Sequence, residues 1–347
     1  MRGTRRVWDR RESRAVEAAL TQKISQLPKP RILILSGGGG NGSAQAAAVE
    51  QLYRGGYVPD LIIGTSIGAW NGAYLAAHPG ISGARNLVKL WHSGAFGELA
   101  VPQAGYLVRT IRLRVASLIG PHSVQHALAR TGLSSVSWKH LQIPLIVGAT
   151  EVGTGALEYW DSRSVPAPGD PLGPYLAASS GLTPLQPAST IENKQYIDGG
   201  FNDNYGIREA TRQIPGNRKH ASIVIIDAAP EPFARSLTDV ADSELLAEGL
   251  ILHRHFAEDV ALARSAGIHV EILPVGLNHS ITRFMEPDAG IAVGRQVASQ
   301  WAQDRSITAR WKQPSLASEI RAFLRAAHAI PFQALSHSIV SMSDRSL

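Results

Sequence analysis

The sequence contains no cysteine among its 347 residues. Disulfide bonds, a thiol nucleophile and zinc sites that use thiolate ligands are therefore excluded. No apolar run approaches the roughly 20 residues that a membrane-spanning helix needs, and the arginine-rich residues 1–30 lack the apolar core of a secretory signal. We therefore expect neither a signal peptide nor a transmembrane helix, and we expect a cytoplasmic location.

Acidic residues are fewer than basic ones, with 28 Asp and Glu against 34 Lys and Arg. The formal net charge is +6 and the isoelectric point is about 9.7. This balance suits an anionic partner such as a phospholipid surface or nucleic acid, and it equally suits an ordinary solvated surface. Because 44% of the residues are hydrophobic, the chain can bury a substantial core, and its length suits one large domain or two smaller ones.

Apolar runs of strand length alternate with segments of helical pattern along most of the chain. Strands are predicted at residues 31–35, 61–63, 143–150, 222–226 and 269–275, and hairpins at 153–160 and 190–197. Helices are predicted at residues 43–54, 66–77 and 244–266. Such alternation is typical of a parallel sheet whose two faces are covered. The sequence therefore predicts an α/β fold, a three-layer sandwich with a central, mostly parallel sheet.

The most informative motif is the pentapeptide G-T-S-I-G at residues 64–68. A short apolar run precedes it and a stretch of small residues follows it. Strand, sharp turn and helix are the context in which G-x-S-x-G forms a nucleophile elbow. Side chains two residues before and after the serine would collide with neighbouring backbone, which explains Gly64 and Gly68. Ser66 would then lie at a helix N-terminus, where the helix dipole favours a developing negative charge.

A second motif, S-G-G-G-G-N-G at residues 36–42, lies between the first predicted strand and the first predicted helix. Glycines allow successive backbone amides to turn toward one point and allow a substrate to approach the backbone closely. We therefore expect the N–H groups of Gly38, Gly39 and Gly40 to form an oxyanion hole for a tetrahedral intermediate.

The same loop has a competing interpretation, because Gly37-x-Gly39-x-x-Gly42 also fits a dinucleotide-binding fingerprint. That interpretation requires an acidic residue near the end of the second strand, where it would hold a ribose. The acid in this region, Asp60, precedes the second strand, and the serine elbow occupies the strand's end. A phosphate-binding loop of the Walker type lacks its Gly-Lys-Ser/Thr. A nucleotide-binding oxidoreductase remains the weaker alternative.

A serine hydroxyl needs a base to become a good nucleophile. The chain has 12 histidines, and those that would serve a Ser-His-Asp triad are His253, His255, His269 and His279. The topology of α/β-hydrolases argues against them, because several strands precede the elbow in that fold and one is predicted here. Asp198 is the better candidate. It ends an apolar strand, and the following Gly199 and Gly200 allow a tight turn that presents the carboxylate to a cleft.

Together these motifs resemble the patatin-like phospholipases, serine acyl hydrolases that use a Ser–Asp dyad. The family's oxyanion loop matches residues 37–42, its elbow matches residues 64–68, and its D-G-G/A motif matches residues 198–200. A further family block, small residues followed by spaced prolines, matches residues 177–187. The order and spacing agree from about residue 31 to residue 227.

The resemblance implies a patatin-like fold and hydrolysis of carboxylic ester bonds in lipids, with phospholipids as the expected substrates. Ser66 would be the nucleophile and Asp198 the general base, with no histidine between them. No metal ion and no organic cofactor is expected. A lipid ester is the expected partner, peripheral contact with an anionic membrane surface is compatible with the charge, and nucleic acid is not expected.

The chain departs from the family at two places. The family's loop usually carries Lys or Arg just before its last glycine, and this chain has Asn41 there. The segment 201–206 reads F-N-D-N-Y-G where the family commonly has Asn-Asn-Pro, and we expect this to change local packing. Because a missing cation would weaken catalysis, Asn41 supports a second alternative, a non-catalytic lipid- or protein-binding module on a patatin scaffold.

Three segments are expected around this unit. Residues 1–30 form a basic N-terminal arm, residues 31–275 the patatin-like catalytic domain, and residues 276–347 a mainly helical segment on the same domain. Helical spacing of apolar side chains in the arm is found at Val16, Ala19, Leu20 and Ile24. Residues 107–119 carry three arginines among aliphatic residues, which suits an ordinary amphipathic helix or a membrane-facing segment.

Overall fold

The structure, a computed structural model, describes residues 10–99, 117, 121–165, 167–183, 185–214, 216, 220–229, 249–277 and 287–305. The amphipathic segment expected at residues 107–119 lies outside these ranges except for Ser117, as does most of the segment expected at residues 276–347. Within the described ranges, every helix is too short or too polar to cross a lipid bilayer.

A sheet of eight strands forms the centre of the molecule. The strands are β1 (Arg31–Leu35), β2 (Leu61–Thr65), β3 (Leu145–Glu151), β4 (Leu157–Asp161), β5 (Ser189–Ile191), β6 (Lys194–Asp198), β7 (Ser222–Asp227) and β8 (His269–Pro274). They are ordered β5-β6-β3-β2-β1-β7-β8, and β4 also pairs with β3. Strands β3, β2, β1, β7 and β8 run parallel, and β4, β5 and β6 add antiparallel pairs at one side. The predicted α/β fold with a mostly parallel central sheet is confirmed.

Helices cover both faces of the sheet. They are α1 (Arg10–Ser25), α2 (Gly42–Arg54), α3 (Ile67–Ala77), α4 (Gly80–His92), α5 (Pro121–Arg130), α6 (Gly173–Ser179), α7 (Ile207–Arg212), α8 (Phe256–Ser265) and α9 (Pro287–Ala302). Strand β1 shows how the layers are divided, because Leu33 and Leu35 join the core beneath α2 and α3, whereas Ile32 and Ile34 join the core beneath α7 and α8. Alternate side chains of a buried strand point to opposite faces, so both faces of this strand are apolar.

The helix predicted in the arm is present as α1. Its side chains Val16, Leu20 and Ile24 are buried in the same core as α2 and α3. The guanidinium of Arg31, at the start of β1, donates hydrogen bonds to the carbonyl oxygens of Ile24 (3.0 Å) and Leu27 (3.2 Å). Because the last carbonyls of a helix lack partners within it, this buried arginine satisfies the end of α1 and fixes it against the sheet.

The single helix predicted at residues 244–266 differs in the structure. Residues 249–252 are helical, the helix ends there, and α8 begins at Phe256. Between them, His255 has a φ of 60°, which no α-helix continues through. The apolar spacing was consistent with one helix, but it contained no signal for this left-handed residue.

Candidate active site

Ser66 occupies the sharp turn between β2 and α3. Its φ of 55° and ψ of −127° are backbone angles that residues other than glycine rarely adopt. A Cβ atom on Gly68 would lie 2.0 Å from the carbonyl oxygen of Leu35 in β1, and one on Gly64 would lie 2.6 Å from Cα of Ala69. Both glycines therefore permit the close approach of strand and helix that the elbow needs, and they leave Ser66 partly accessible.

The glycine-rich loop leaves the carboxyl end of β1 and enters α2 through a single 3₁₀ turn, Gly39–Asn41. A Cβ atom on Gly38 would lie 2.2 Å from the carbonyl oxygen of Ala228, so the loop lies directly on the segment that follows β7. Within the described residues, the N–H groups of Gly38, Gly39 and Gly40 donate no hydrogen bond. Unused backbone donors on one short loop are what an oxyanion hole requires.

Gly37 connects this loop to the rest of the site. A Cβ atom placed on it would lie 3.0 Å from Cβ of Ser66, so the loop runs beside the serine. The Gly37 N–H donates to Oδ1 of Asn204 (2.9 Å), and the Asn204 amide donates back to the Gly37 carbonyl oxygen (3.3 Å). Asn204 is completely buried. It therefore holds the glycine-rich loop through both of its polar atoms, and the last glycine of the motif, Gly42, begins α2.

Asp198 ends β6 and is buried against the elbow. Its Oδ1 accepts a hydrogen bond from the Gly200 N–H (2.8 Å), within the 3₁₀ turn that starts at Gly199. Burial raises the pKa of Asp198 from 3.8 to about 6, and hydrogen bonding to the Ser66 hydroxyl and the Gly200 N–H opposes this rise. The structure thus places Asp198 beside Ser66.

The contact between Ser66 and Asp198 is a loose one. The Ser66 hydroxyl is close enough to lower the pKa of Asp198. The two side chains nevertheless do not form a hydrogen bond of ordinary length and angle. The strong partner of the carboxylate in this structure is the Gly200 N–H. Catalytic hydrogen bonds are often long without substrate and tighten when substrate binds, so the geometry is compatible with a serine that turns toward its base.

Ser179, at the end of α6, holds the elbow to the sheet. Its hydroxyl accepts a hydrogen bond from the Ser66 N–H (2.9 Å) and donates one to the carbonyl oxygen of Gly148 in β3 (2.7 Å). The next residue, Ser180, accepts from the indole of Trp70 (3.0 Å) in α3. Both serines lie in the small-residue block at 177–187, which the sequence singled out without indicating what its serines contact.

Asn204 was also missed as a site residue. It belongs to the segment 201–206, for which the sequence suggested a change of local packing. The partners of Asn204 and Ser179 lie 167 and 113 residues away in the chain, so their roles depend on tertiary contacts. A polar residue a few positions after the D-G-G turn was the one signal that the sequence offered for Asn204.

Asn41, which replaces the family's usual cation, is completely buried. Its amide donates to the carbonyl oxygen of Ala228 (2.9 Å), while its Oδ1 has no hydrogen-bond partner among the described residues. Ser36 contacts the same segment, because its hydroxyl accepts from the Ala228 N–H (2.8 Å). Asn41 therefore anchors the loop to the end of β7. A Lys or Arg at this position would have placed a positive charge in the loop.

The histidines considered for a triad lie beside other carboxylates. Nε2 of His253 is 3.3 Å from Asp227, and its Nδ1 is 2.9 Å from the carbonyl oxygen of Gly249. His255 lies beside Glu258 and His269 beside Glu271, while His279 lies outside the described residues. In the described ranges, no three His, Asp or Glu side chains gather as a metal site would need.

A comparison with protein families finds one matching family model, Patatin-like phospholipase, over residues 33–211. Among solved structures, VipD from Legionella pneumophila is 13% identical, with a TM-score of 0.45, and the match covers 91% of this chain and 77% of that one. The type III effector protein ExoU is 16% identical with a TM-score of 0.34, over 90% of this chain and 64% of that one. These two scores are too low to carry an argument. The family match covers more than half of the chain, and the protein therefore belongs to the patatin-like phospholipases, a family of lipid hydrolases.

Proposed function

We propose that the protein is a serine acyl hydrolase that cleaves carboxylic ester bonds of lipids, with phospholipids as the first class to test. The catalytic unit would comprise residues 31–275. The observation that carries the proposal is the placement of a serine with a strained backbone beside a buried carboxylate at the carboxyl edge of the sheet. Membership of the family supports a lipid substrate.

In the proposed mechanism, Asp198 accepts the proton of the Ser66 hydroxyl as Oγ attacks the ester carbonyl carbon. The carbonyl oxygen becomes an oxyanion that the N–H groups of Gly38, Gly39 and Gly40 stabilise. Asp198 then gives the proton to the departing alcohol as the ester C–O bond breaks. Water repeats the sequence on the acyl-enzyme, with Asp198 as its base, and releases the fatty acid.

The environment of Asp198 supports its role as a base that acts without histidine. An ordinary aspartate is a weak base, because its pKa lies several units below neutral pH. Burial raises the pKa of Asp198 to about 6, so the carboxylate is a better proton acceptor and is still ionised at neutral pH. This compromise is the one that general-base catalysis favours.

The nucleophile is tested by replacing Ser66 with Ala and by labelling with a fluorophosphonate probe. The parent protein should react with the probe and release fatty acid from phospholipid vesicles and from short-chain nitrophenyl esters, and S66A should do neither. Asp198→Asn should lose hydrolysis by at least about 10³-fold, the scale of a catalytic dyad member. Full activity of S66A would reject the assignment.

A second candidate is the non-catalytic binding module, which Asn41 favours because its amide is bonded to Ala228 and brings no charge to the loop. In that case the folded parent protein would bind lipid vesicles without reacting with the fluorophosphonate. Labelling that depends on Ser66 would exclude this candidate.

A further inference from the structure

Large apolar side chains are exposed at five positions in the described residues, and two of these are adjacent. Leu250 is 49% exposed and Ile251 is 44% exposed, on the helical turn formed by residues 249–252. The other three, Val58, Val152 and Leu262, lie singly on separate elements. Single exposed apolar residues are ordinary. Leu250 and Ile251 are consecutive in the chain, so two large apolar side chains are exposed close together.

The helical turn lies at the edge of the sheet that carries the candidate active site. Its following residue, His253, faces Asp227, the last residue of β7. Ser66 directly follows β2, and both β2 and β7 run parallel to β1, which lies between them. The carboxyl ends of β2 and β7 therefore share one edge, and the exposed pair is on the same side of the molecule as the nucleophile.

The third apolar residue of the turn points inward. Leu252 is buried with Ala229 and Leu182 in a small cluster of its own, and a Cβ atom on Gly200 would lie 3.0 Å from its Cδ2. Gly200 is the residue whose N–H binds Asp198. The turn is thus fixed to the rim of the site by Leu252 and by His253, and this arrangement leaves Leu250 and Ile251 facing outward.

We propose that Leu250 and Ile251 insert into the surface of a lipid bilayer and hold the mouth of the active site against it. This inference rests on the proposed function and adds how the substrate is reached. Arg254, three residues after Ile251, is exposed, and a cation close to exposed apolar side chains is typical of segments that bind anionic lipid surfaces. Two side chains offer far less area than the roughly 800 Å² per partner of a stable protein interface, which argues against a second protein.

The test uses the double variant Leu250→Ser/Ile251→Ser. The matched control is Val58→Ser/Leu262→Ser, which removes two apolar side chains that are 59% and 53% exposed. Val58 precedes β2, and Leu262 lies late in α8, which runs back toward the start of β8, so both lie toward the opposite edge of the sheet. Binding to vesicles of phosphatidylcholine and phosphatidylglycerol is measured by co-sedimentation, with S66A in every protein to prevent hydrolysis.

We expect the Leu250→Ser/Ile251→Ser variant to bind vesicles about tenfold or more weakly than S66A alone, because two membrane-inserted side chains are removed. The control variant should bind vesicles with the affinity of S66A alone. With Ser66 present, the Leu250→Ser/Ile251→Ser variant should hydrolyse a soluble short-chain ester at the parent rate. It should hydrolyse phospholipid in vesicles at least tenfold more slowly than the parent. Unchanged vesicle binding, or an equal loss in the control, would overturn the docking proposal. The proposed function would fail in a different way: the parent protein would show no Ser66-dependent hydrolysis of the soluble ester.

Discussion

At Asp198, burial and hydrogen bonding act in opposite directions on one carboxyl group. Burial disfavours the charged form, while the Ser66 hydroxyl and the Gly200 N–H favour it, and burial has the larger effect. The result is a carboxyl that ionises close to neutral pH. Because a general base must be ionised to accept a proton, the pKa of this single group should determine how activity depends on pH.

The first prediction concerns that pH dependence. Protonation of Asp198 removes the base, so kcat/KM for a soluble ester should fall about tenfold per pH unit below the Asp198 pKa of about 6 and be level above it. Stopped assays from about pH 4.5 to pH 8 with a short-chain nitrophenyl ester measure this. The profile should be the same in His253→Gln. A break in the profile that disappears in that variant would instead favour a histidine as the base.

The second prediction concerns stability. Replacing Asp198 should abolish activity but raise the free energy of unfolding. Since the folded pKa of Asp198 is raised from 3.8 to about 6, a difference of about 2 units, ionisation costs the folded state about 3 kcal/mol at neutral pH. Asp198→Asn should therefore be inactive yet more stable, by up to that amount above pH 6. Its advantage should shrink as pH falls from 6 toward 3.8, because the parent carboxyl becomes protonated. Urea unfolding across this range checks it, and an advantage that grows toward low pH would contradict it.

At the scale of elements, the site consists of turns that follow strands of one sheet. The sequence predicted these turns well, because each is marked locally by an apolar run and by glycines. The elbow after β2 and the loop after β1 lie where the sequence placed them. So does the β5–β6 hairpin outside the site, whose turn residues Glu192 and Asn193 have φ values of 48° and 66°. The contacts between the turns were not predictable, because Ser179 and Asn204 reach partners far away in the chain, and the left-handed His255 carries no local signal.

Those contacts give the third prediction. Asn204 connects the turn after β6 to the glycine-rich loop, so Asn204→Ala should allow the proposed oxyanion donors to shift. Displacement of catalytic groups by about 1 Å can cost about 10²-fold, and we expect a loss of that order in kcat, with little change in KM. The pH profile should keep its break near the Asp198 pKa. Steady-state kinetics and the rate of fluorophosphonate labelling measure the two effects.

Asn202→Ala is the matched control, because it removes the same amide from the same segment. Asn202 donates to Thr150 (3.2 Å) and to the carbonyl oxygen of Gly155 (2.9 Å), away from the glycine-rich loop. It should therefore retain most of the activity. If both variants lost activity equally, the effect would come from general loosening of the segment, and the specific role of Asn204 would be rejected.

At the scale of the whole molecule, both terminal regions of the described chain close around α2, the helix that begins where the glycine-rich loop ends. Every residue of α2 from Gly42 to Tyr53 is buried. Helix α1 contacts it from one side, and α9 crosses it so closely that two glycines form the contact. The buried Glu50 of α2 also pairs with Arg295 of α9 (2.9 Å). The packing of α9 therefore helps to determine where the glycine-rich loop lies.

The fourth prediction tests this coupling with two alanine substitutions in α9. A Cβ atom on Gly294 would lie 2.0 Å from the backbone carbonyl oxygen of Ala44, whereas one on Gly290 would lie 2.1 Å from the hydroxyl of Ser43. Alanine favours a helix over glycine by about 1 kcal/mol, but backbone cannot move aside as a hydroxyl can. Gly294→Ala should therefore force the helices apart and destabilise the protein by about 2 kcal/mol or more, with a parallel fall in fluorophosphonate labelling at Ser66. Gly290→Ala should have a smaller effect on stability, because Ser43 can rotate away from the new methyl group. That rotation gives up the hydrogen bond from the Ser43 hydroxyl to the carbonyl oxygen of Gly40 (3.1 Å), so a modest loss is expected in both measurements. Equal unfolding midpoints in urea for the two variants would show that α9 does not constrain α2 at this crossing.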